Sequence, residues 1–352
     1  MVVGCGALGN EVLKNLVLSG VRHLVCVDFD RVEEDNLSRS VLFSREDAAI
    51  GRLKVEAVAS RLREMAPDVE VDTVAGDIAF DVGLGRIADA DVVICCVDSR
   101  WARFMVNRHC IRTSRPWVEG GISMWEGSAR VFIPGRNCYA CGLTPEGLSD
   151  IRRRMPCANV IRKAVRSDSV PTSSFSASVI GAVLAQEALK IVCGEQSLDG
   201  RMFSWEGDVV SARTVEFSAW DDDCPEHECR VPAEESGFTC GTAVSELLAH
   251  FGDGASLALR DDCFVDYVVG RADNEKYELM CPGRKVEDAM ANDPSLSALR
   301  AVDCYQNEYR TIDSSFPYQG MTLGELGIPS DDILDVRVGG GRRFVRMGDR
   351  VC

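Results

Sequence analysis

Apolar Met1–Val3 runs into Gly4-Cys5-Gly6-Ala7-Leu8-Gly9, an apolar-periodic stretch follows from Val12 to Leu18, and Leu24–Val27 ends in Asp28-Phe29-Asp30. That order predicts strand, glycine turn, helix and a second strand tipped by acids. Val55–Met65 is apolar at Val55, Val58 and Leu62 and reads as a helix opened by Gly51-Arg52-Leu53-Lys54, and Val69–Val74 reads as a strand. Asp91–Val97 is almost wholly apolar, as a parallel strand buried on both faces is, and it ends at Asp98. A helix over Trp101–Ile111, a short strand at Trp117–Glu119 and a strand over Gly127–Pro134 follow. Strands alternating with helices predict an α/β fold with a doubly wound, mostly parallel sheet.

After residue 135 the pattern changes. Asn137-Cys138-Tyr139-Ala140-Cys141-Gly142 is a tight Cys-x-x-Cys turn, Leu148–Arg154 is polar and basic, and Met155-Pro156-Cys157 follows. Ser173–Val192 reads as a long helix; its most apolar part is broken by Gln186, Glu187 and Lys190, which favours a buried helix over a membrane span. Met202–Trp205 and Thr214–Phe217 predict a hairpin, and Cys224-Pro225-Glu226-His227-Glu228-Cys229 closes the region. Pro232–Gly237 reads as a linker. Beyond it, a helix at Val244–Phe251 and strands at Ser256–Leu259, Phe264–Gly270, Tyr277–Met280 and Ile333–Val338 predict a separate small domain. The expected division is 1–135, nucleotide-binding; 136–172, first cysteine pair and Cys157; 173–231, the remainder of that domain; and 238–352.

Composition narrows the reading. At 352 residues the chain holds enough for two domains. Fifty-five acids against 39 bases give a net charge of −16, which argues against a nucleic-acid surface. Sixteen cysteines with no signal peptide point to reduced thiols in the cytosol or nucleus, some of them serving metal binding or catalysis.

The candidate chemistry gathers at the predicted strand ends, where doubly wound sheets bind ligands. Gly4 permits the turn, Gly6 lets backbone approach a phosphate, Gly9 allows close helix–strand packing, and Asp28 is placed for ribose hydroxyls. These features fit a nucleotide site without choosing among NAD, FAD and ATP. Arg39, Lys54 and Asp98 change that: two cations and a carboxylate for Mg²⁺ suit a triphosphate. Cys138, Cys141, Cys224 and Cys229 form a candidate structural Zn²⁺ shell, with His227 the alternative to Cys229 across the wide second pair. Cys157 lies among Arg152, Arg153, Arg154, Arg162 and Lys163, a setting that raises a thiol's ionised fraction; it reads equally as one more packed cysteine.

With these residues in view, the chain resembles the enzymes that activate ubiquitin and ubiquitin-like proteins, the E1-like ThiF/MoeB superfamily. The resemblance rests on Gly4–Glu11, Val27–Asp30, Asn36-Leu37-Ser38-Arg39, Gly51–Lys54 and Cys96-Val97-Asp98-Ser99, in that order and spacing. Bacterial enzymes that adenylate sulfur-carrier proteins for molybdopterin and thiamine synthesis share this core. The Cys138/Cys141 turn followed by Met155-Pro156-Cys157 is similar to the catalytic subunits of heterodimeric activating enzymes, and Thr322–Gly327 leading into Ile333–Val338 resembles their C-terminal ubiquitin-fold domain.

The resemblance implies a Rossmann-like adenylation fold with a catalytic-cysteine insertion and a C-terminal ubiquitin-like α+β domain that recruits a conjugating enzyme. It implies adenylation of a modifier's C-terminus by ATP–Mg²⁺, then a thioester on Cys157. Gly4, Gly6, Gly9, Asp28, Asp30, Asn36, Arg39, Lys54 and Asp98 become the nucleotide-binding set, with Asp28 on ribose, Arg39 and Lys54 on phosphates, and Asp98 on Mg²⁺. A family Arg carried on a helix before the first strand is missing, so a homodimeric or heterodimeric partner is expected to supply it, or the recorded start is truncated. The alternatives are a sulfur-carrier adenylyltransferase, a catalytically silent nucleotide-binding scaffold and, last, an NAD-dependent oxidoreductase. The chain is expected in the cytoplasm, with no membrane partner.

Overall fold

The computed structural model describes residues 1–153, 172–217, 220–260, 264–270, 276–282 and 304–348; Cys157 lies outside them. The described chain forms two compact units. The first takes Met1–Val82, Ile87–Ile151 and the described residues from 172 to Cys229; the second takes Gly83–Arg86, Arg152, Arg153 and the described residues from Arg230.

In the first unit the elements run β1 (Val2–Val3), α1 (Ala7–Leu18), β2 (His23–Val27), α2 (Arg45–Ile50), α3 (Lys54–Met65) and β3 (Glu70–Val74). After α4 (Leu84–Ala88) come β4 (Val93–Cys95), α5 (Arg100–Arg112), β5 (Trp117–Ile122), β6 (Glu126–Phe132), α6 (Pro145–Arg153), α7 (Ser174–Val192), β7 (Arg201–Glu206) and β8 (Ser211–Glu216). They build one eight-stranded sheet in the order β3-β2-β1-β4-β5-β6-β7-β8. The pairs from β3 to β5 are parallel and those from β5 to β8 antiparallel. β1, β2 and β4 carry the apolar runs that the sequence shows, whereas the parallel edge strand β3 is mostly polar and exposed. β1 is two residues long yet central: the chain leaves it for β2 on one side and later returns through β4 on the other. That reversal opens a crevice above its carboxyl end.

α1 turns Leu8, Val12, Leu13, Leu16 and Val17 into the core at helical spacing. α7 packs on α1 and across β5 and β6. By length and composition it passes as a membrane-spanning helix. Its apolar character is used inside the fold, where it lies so close to its neighbours that a Cβ added at Gly181 falls 2.5 Å from Glu11 Cβ.

The second unit holds β9 (Glu234–Glu235), α8 (Val244–Phe251), β10 (Ser256–Ala258), β11 (Phe264–Gly270), β12 (Lys276–Pro282), β13 (Cys304–Tyr309), β14 (Thr311–Ile312), β15 (Ile333–Val338) and β16 (Gly341–Arg346). One sheet is ordered β14-β10-β15-β16-β9, the other β12-β11-β13. Leu247 and Leu248 of α8 pack with Leu257, Leu323, Leu326, Val336 and Val345 in its core. Thr322 and Glu325 exchange a reciprocal cap, Glu325 N–H donating to Thr322 Oγ1 and Thr322 N–H to Glu325 Oε2. The stretch read as a linker is partly strand: β9 pairs in parallel with β16 through Val345 and Arg346. A two-residue edge strand between Pro and Gly carries no periodic signal for sequence to show.

Candidate nucleotide site and thiol cluster

Gly4 leaves β1 at φ +91°, with its N–H on the Val27 carbonyl at 2.8 Å. Only glycine adopts this conformation without strain, and a Cβ there would meet the Cys96 carbonyl oxygen at 2.8 Å. Gly9 lets α1 fold back on the turn: an added Cβ would sit 2.0 Å from the Gly4 carbonyl oxygen. Gly6 is different, since an added Cβ meets nothing within 4 Å. It is the N-cap of α1 and offers no side-chain cap, so the first N–H groups of a 12-residue helix face the crevice with the positive end of its dipole.

That crevice is a cavity of about 1070 Å³, bordered by Gly4, Gly6, Asp28, Asp30, Asn36, Arg39, Lys54 and Asp98, all singled out from the sequence. Asp28 Oδ2 accepts the Cys5 N–H at 2.7 Å, and its Oδ1 accepts the Asp30 N–H at 2.8 Å. Desolvation pushes the Asp28 carboxyl above the usual aspartate value, with Lys54 and the two N–H donors pulling the other way. Lys54 Nζ pairs with Asp30 Oδ2 at 2.7 Å. Asn36 Oδ1 accepts the Glu33 N–H at 3.0 Å, and Arg39 Nη1 donates to the Asp35 carbonyl at 2.8 Å. No hydrogen bond or ion pair claims the exposed Asp98 carboxylate among the described residues.

Beyond β4 the cavity continues along β5 to β8 and brings in residues that pattern reading passed over. Arg103 donates to the Val97 carbonyl at 3.0 Å and the Gly120 carbonyl at 3.3 Å, joining the ends of β4 and β5. Its charge is met by fully buried Glu119 at 3.3 Å, which also pairs with Arg130. Arg100 and Arg213 border the same cavity. In the sequence, Arg103 is simply a polar position of the helix read over Trp101–Ile111, Arg100 lies just before that helix, and Arg213 lies between the two runs of the hairpin.

Away from the cavity, Cys138, Cys141, Cys224 and His227 place their ligand atoms within 4.8 Å of one another. Cys138 is buried and takes the Asn107 amide at 3.3 Å, while Asn107 Oδ1 accepts the Tyr139 N–H at 2.9 Å. Arg108 grips Glu226 through Nε at 2.6 Å and Nη2 at 2.9 Å, fixing the second segment to α5. His227 stacks on Trp220 with centroids 3.4 Å apart, and its Nε2 lies 3.3 Å from Cys141 Sγ. Burial pushes the Cys138, Cys141 and Cys224 thiols up and the His227 imidazole down. Three thiols and a neutral imidazole make a complete donor set for a tetrahedral divalent ion. Cys229, named from sequence as the fourth ligand, is exposed and not a member of the group; the short Cys224–His227 loop brings the imidazole in instead. Cys157 cannot be placed against either site, because it lies outside the described residues.

The ThiF family model matches residues 1–236. The chain belongs to the ThiF family. The SAMP-activating enzyme E1 of Haloferax volcanii is 31% identical over 232 residues, covering 64% of this chain and 78% of that protein. The adenylyltransferase and sulfurtransferase MOCS3 of Mus musculus is 32% identical over 212 residues, which cover 59% of this chain and only 42% of its own length. The crystal structure of E. coli MccB shares the fold at a TM-score of 0.52 and 23% identity, covering 65% of each chain. This ThiF-family protein is therefore E1-like, an adenylyltransferase of the ThiF/MoeB type with a mixed α/β, Rossmann-like sheet. Most of its second unit lies beyond the matched span.

Proposed function

We propose that this ThiF-family protein activates a ubiquitin-like protein in two steps, adenylating its C-terminal carboxylate and then carrying the acyl group as a thioester on Cys157. One observation carries the first step: a single cavity joins the open N-terminus of α1 to Asp28, Arg39, Lys54 and Asp98. The residues fit a nucleotide, since Gly6 leaves room for a phosphate and Asp28 keeps a desolvated carboxylate beside it.

Asp28 accepts from ribose hydroxyls, and the α1 amides, Arg39 and Lys54 neutralise the phosphates. Asp98 holds Mg²⁺, which supplies positive charge to the phosphate oxygens. A carboxylate oxygen of the modifier attacks the α-phosphorus, the bond to the β-phosphate breaks, and pyrophosphate leaves with its electron pair. The Cys157 thiolate then attacks the acyl carbonyl, the bond to AMP breaks, and AMP departs. Transfer of the thioester to a conjugating enzyme falls to the second unit. Cys138, Cys141, Cys224 and His227 hold a structural Zn²⁺ that ties the turn after β6 to the segment after β8.

A second reading keeps only the first step. Likeness to the MOCS3 adenylyltransferase and sulfurtransferase favours a sulfur-carrier protein as acceptor. Incubation with Mg²⁺–ATP and a panel of ubiquitin-like and sulfur-carrier proteins, followed by a non-reducing gel, separates the two. A thiol-sensitive adduct absent in Cys157→Ala supports the thioester route. Pyrophosphate release without an adduct supports the sulfur-carrier route, and release of no pyrophosphate with any acceptor removes both.

A further inference from the structure

Among the described residues five cations border the cavity: Arg39, Lys54, Arg100, Arg103 and Arg213. Three are neutralised within the fold, Lys54 by Asp30 at 2.7 Å, Arg103 by Glu119 at 3.3 Å and Arg213 by Glu206 at 2.8 Å. Among the described residues, no carboxylate pairs with Arg39 or Arg100. Arg39 is already assigned to the phosphates. Arg100 is not used by anything above.

The position of Arg100 disfavours it on structural grounds alone. It is the first residue of the 13-residue helix α5, directly after the N-cap Ser99, whose Oγ accepts the Ala102 N–H at 3.4 Å. A helix N-terminus carries positive partial charge, so a cation in its first turn is repelled and an acid is preferred. The first turn of α5 has no acid to offset it, and Arg100 is exposed. The cost is met if an anion docks there.

Resting on the nucleotide reading above, we infer that Arg100 binds the pyrophosphate portion of ATP and makes the site prefer ATP over AMP. Asp98 is two residues away on the same strand-to-helix turn and borders the same cavity. Mg²⁺ held by one carboxylate completes its shell largely with water and substrate phosphates, so the polyphosphate and Arg100 share one edge of the cavity. The guanidinium then forms charge-assisted hydrogen bonds to phosphate oxygens with no competing carboxylate among the described residues.

The test is equilibrium binding of ATP and of AMP, each with Mg²⁺, to the full chain and to Arg100→Ala and Arg100→Lys. Arg100→Ala weakens ATP about tenfold or more and leaves AMP within about twofold, as loss of one charge-assisted contact predicts. Arg100→Lys recovers part of the ATP affinity. Both variants keep the wild-type melting temperature or exceed it, because a repelled cation has been removed or exchanged. If wild type binds ATP and Arg100→Ala loses nothing, or loses ATP and AMP equally, the role of Arg100 is overturned while the nucleotide reading stands. If wild type binds neither nucleotide, both fall together.

Discussion

The Cys5 backbone N–H donates to Asp28 Oδ2 at 2.7 Å, so the glycine turn after β1 is clasped by the acid at the tip of β2. The acid proposed to hold ribose thereby also sets the shape of the loop proposed to hold phosphate. Asp28→Ala removes both functions at once. It is expected to destabilise the fold by about 1–3 kcal/mol, the usual range for stranding a buried donor, and to weaken ATP by more than tenfold. Chemical denaturation and nucleotide titration read the two effects separately.

Protonation of Asp28 sets a pH dependence. Ribose binding needs the carboxylate as acceptor, so affinity falls as acid protonates it. Desolvation holds this carboxyl above the ordinary aspartate value, so the fall begins at a higher pH than a surface aspartate would give. For stability the sign is opposite: a carboxyl raised in the folded state favours folding as it protonates. Nucleotide affinity therefore drops on acidification while protonation of this group favours the folded state. Affinity and circular dichroism followed together across mildly acidic pH check this, and Asp28→Asn is expected to flatten the affinity curve.

Gly6 and Gly9 differ in the space around them as they differ in the roles read from the turn. Gly9→Ala drives a methyl group to 2.0 Å from the Gly4 carbonyl oxygen and is expected to cost about 3 kcal/mol or more, the upper end of core overpacking. Gly6→Ala meets open space and is expected to leave the melting temperature within a few degrees while abolishing detectable ATP binding. Equal loss of stability in the two variants would contradict this division.

The thiol cluster predicts which second-segment residue binds metal. His227→Ala is expected to lose most of a one-per-chain zinc content and to lower the melting temperature, whereas Cys229→Ala keeps both. Metal analysis of the purified variants decides it. A wild-type protein purified free of chelators and lacking zinc would remove the metal reading itself.

Wherever one segment carries its own pattern, the sequence alone determined the outcome. Apolar runs mark β2 and β4 because strands covered on both faces tolerate little else, and glycine spacing marks the turn because backbone conformation and close approach are local demands. Tertiary structure decided what depends on distant partners. Only folding shows that Arg103 staples β4 to β5 and is neutralised by Glu119, while no carboxylate among the described residues pairs with Arg100, for charge pairing across a sheet has no sequence period. Only folding gathers His227 and not Cys229 with Cys138, Cys141 and Cys224, because the group joins segments about eighty residues apart in sequence. And only folding turns Pro232–Gly237 from apparent linker into an edge strand, since two residues gain a sheet's hydrogen bonds from β16 and not from themselves.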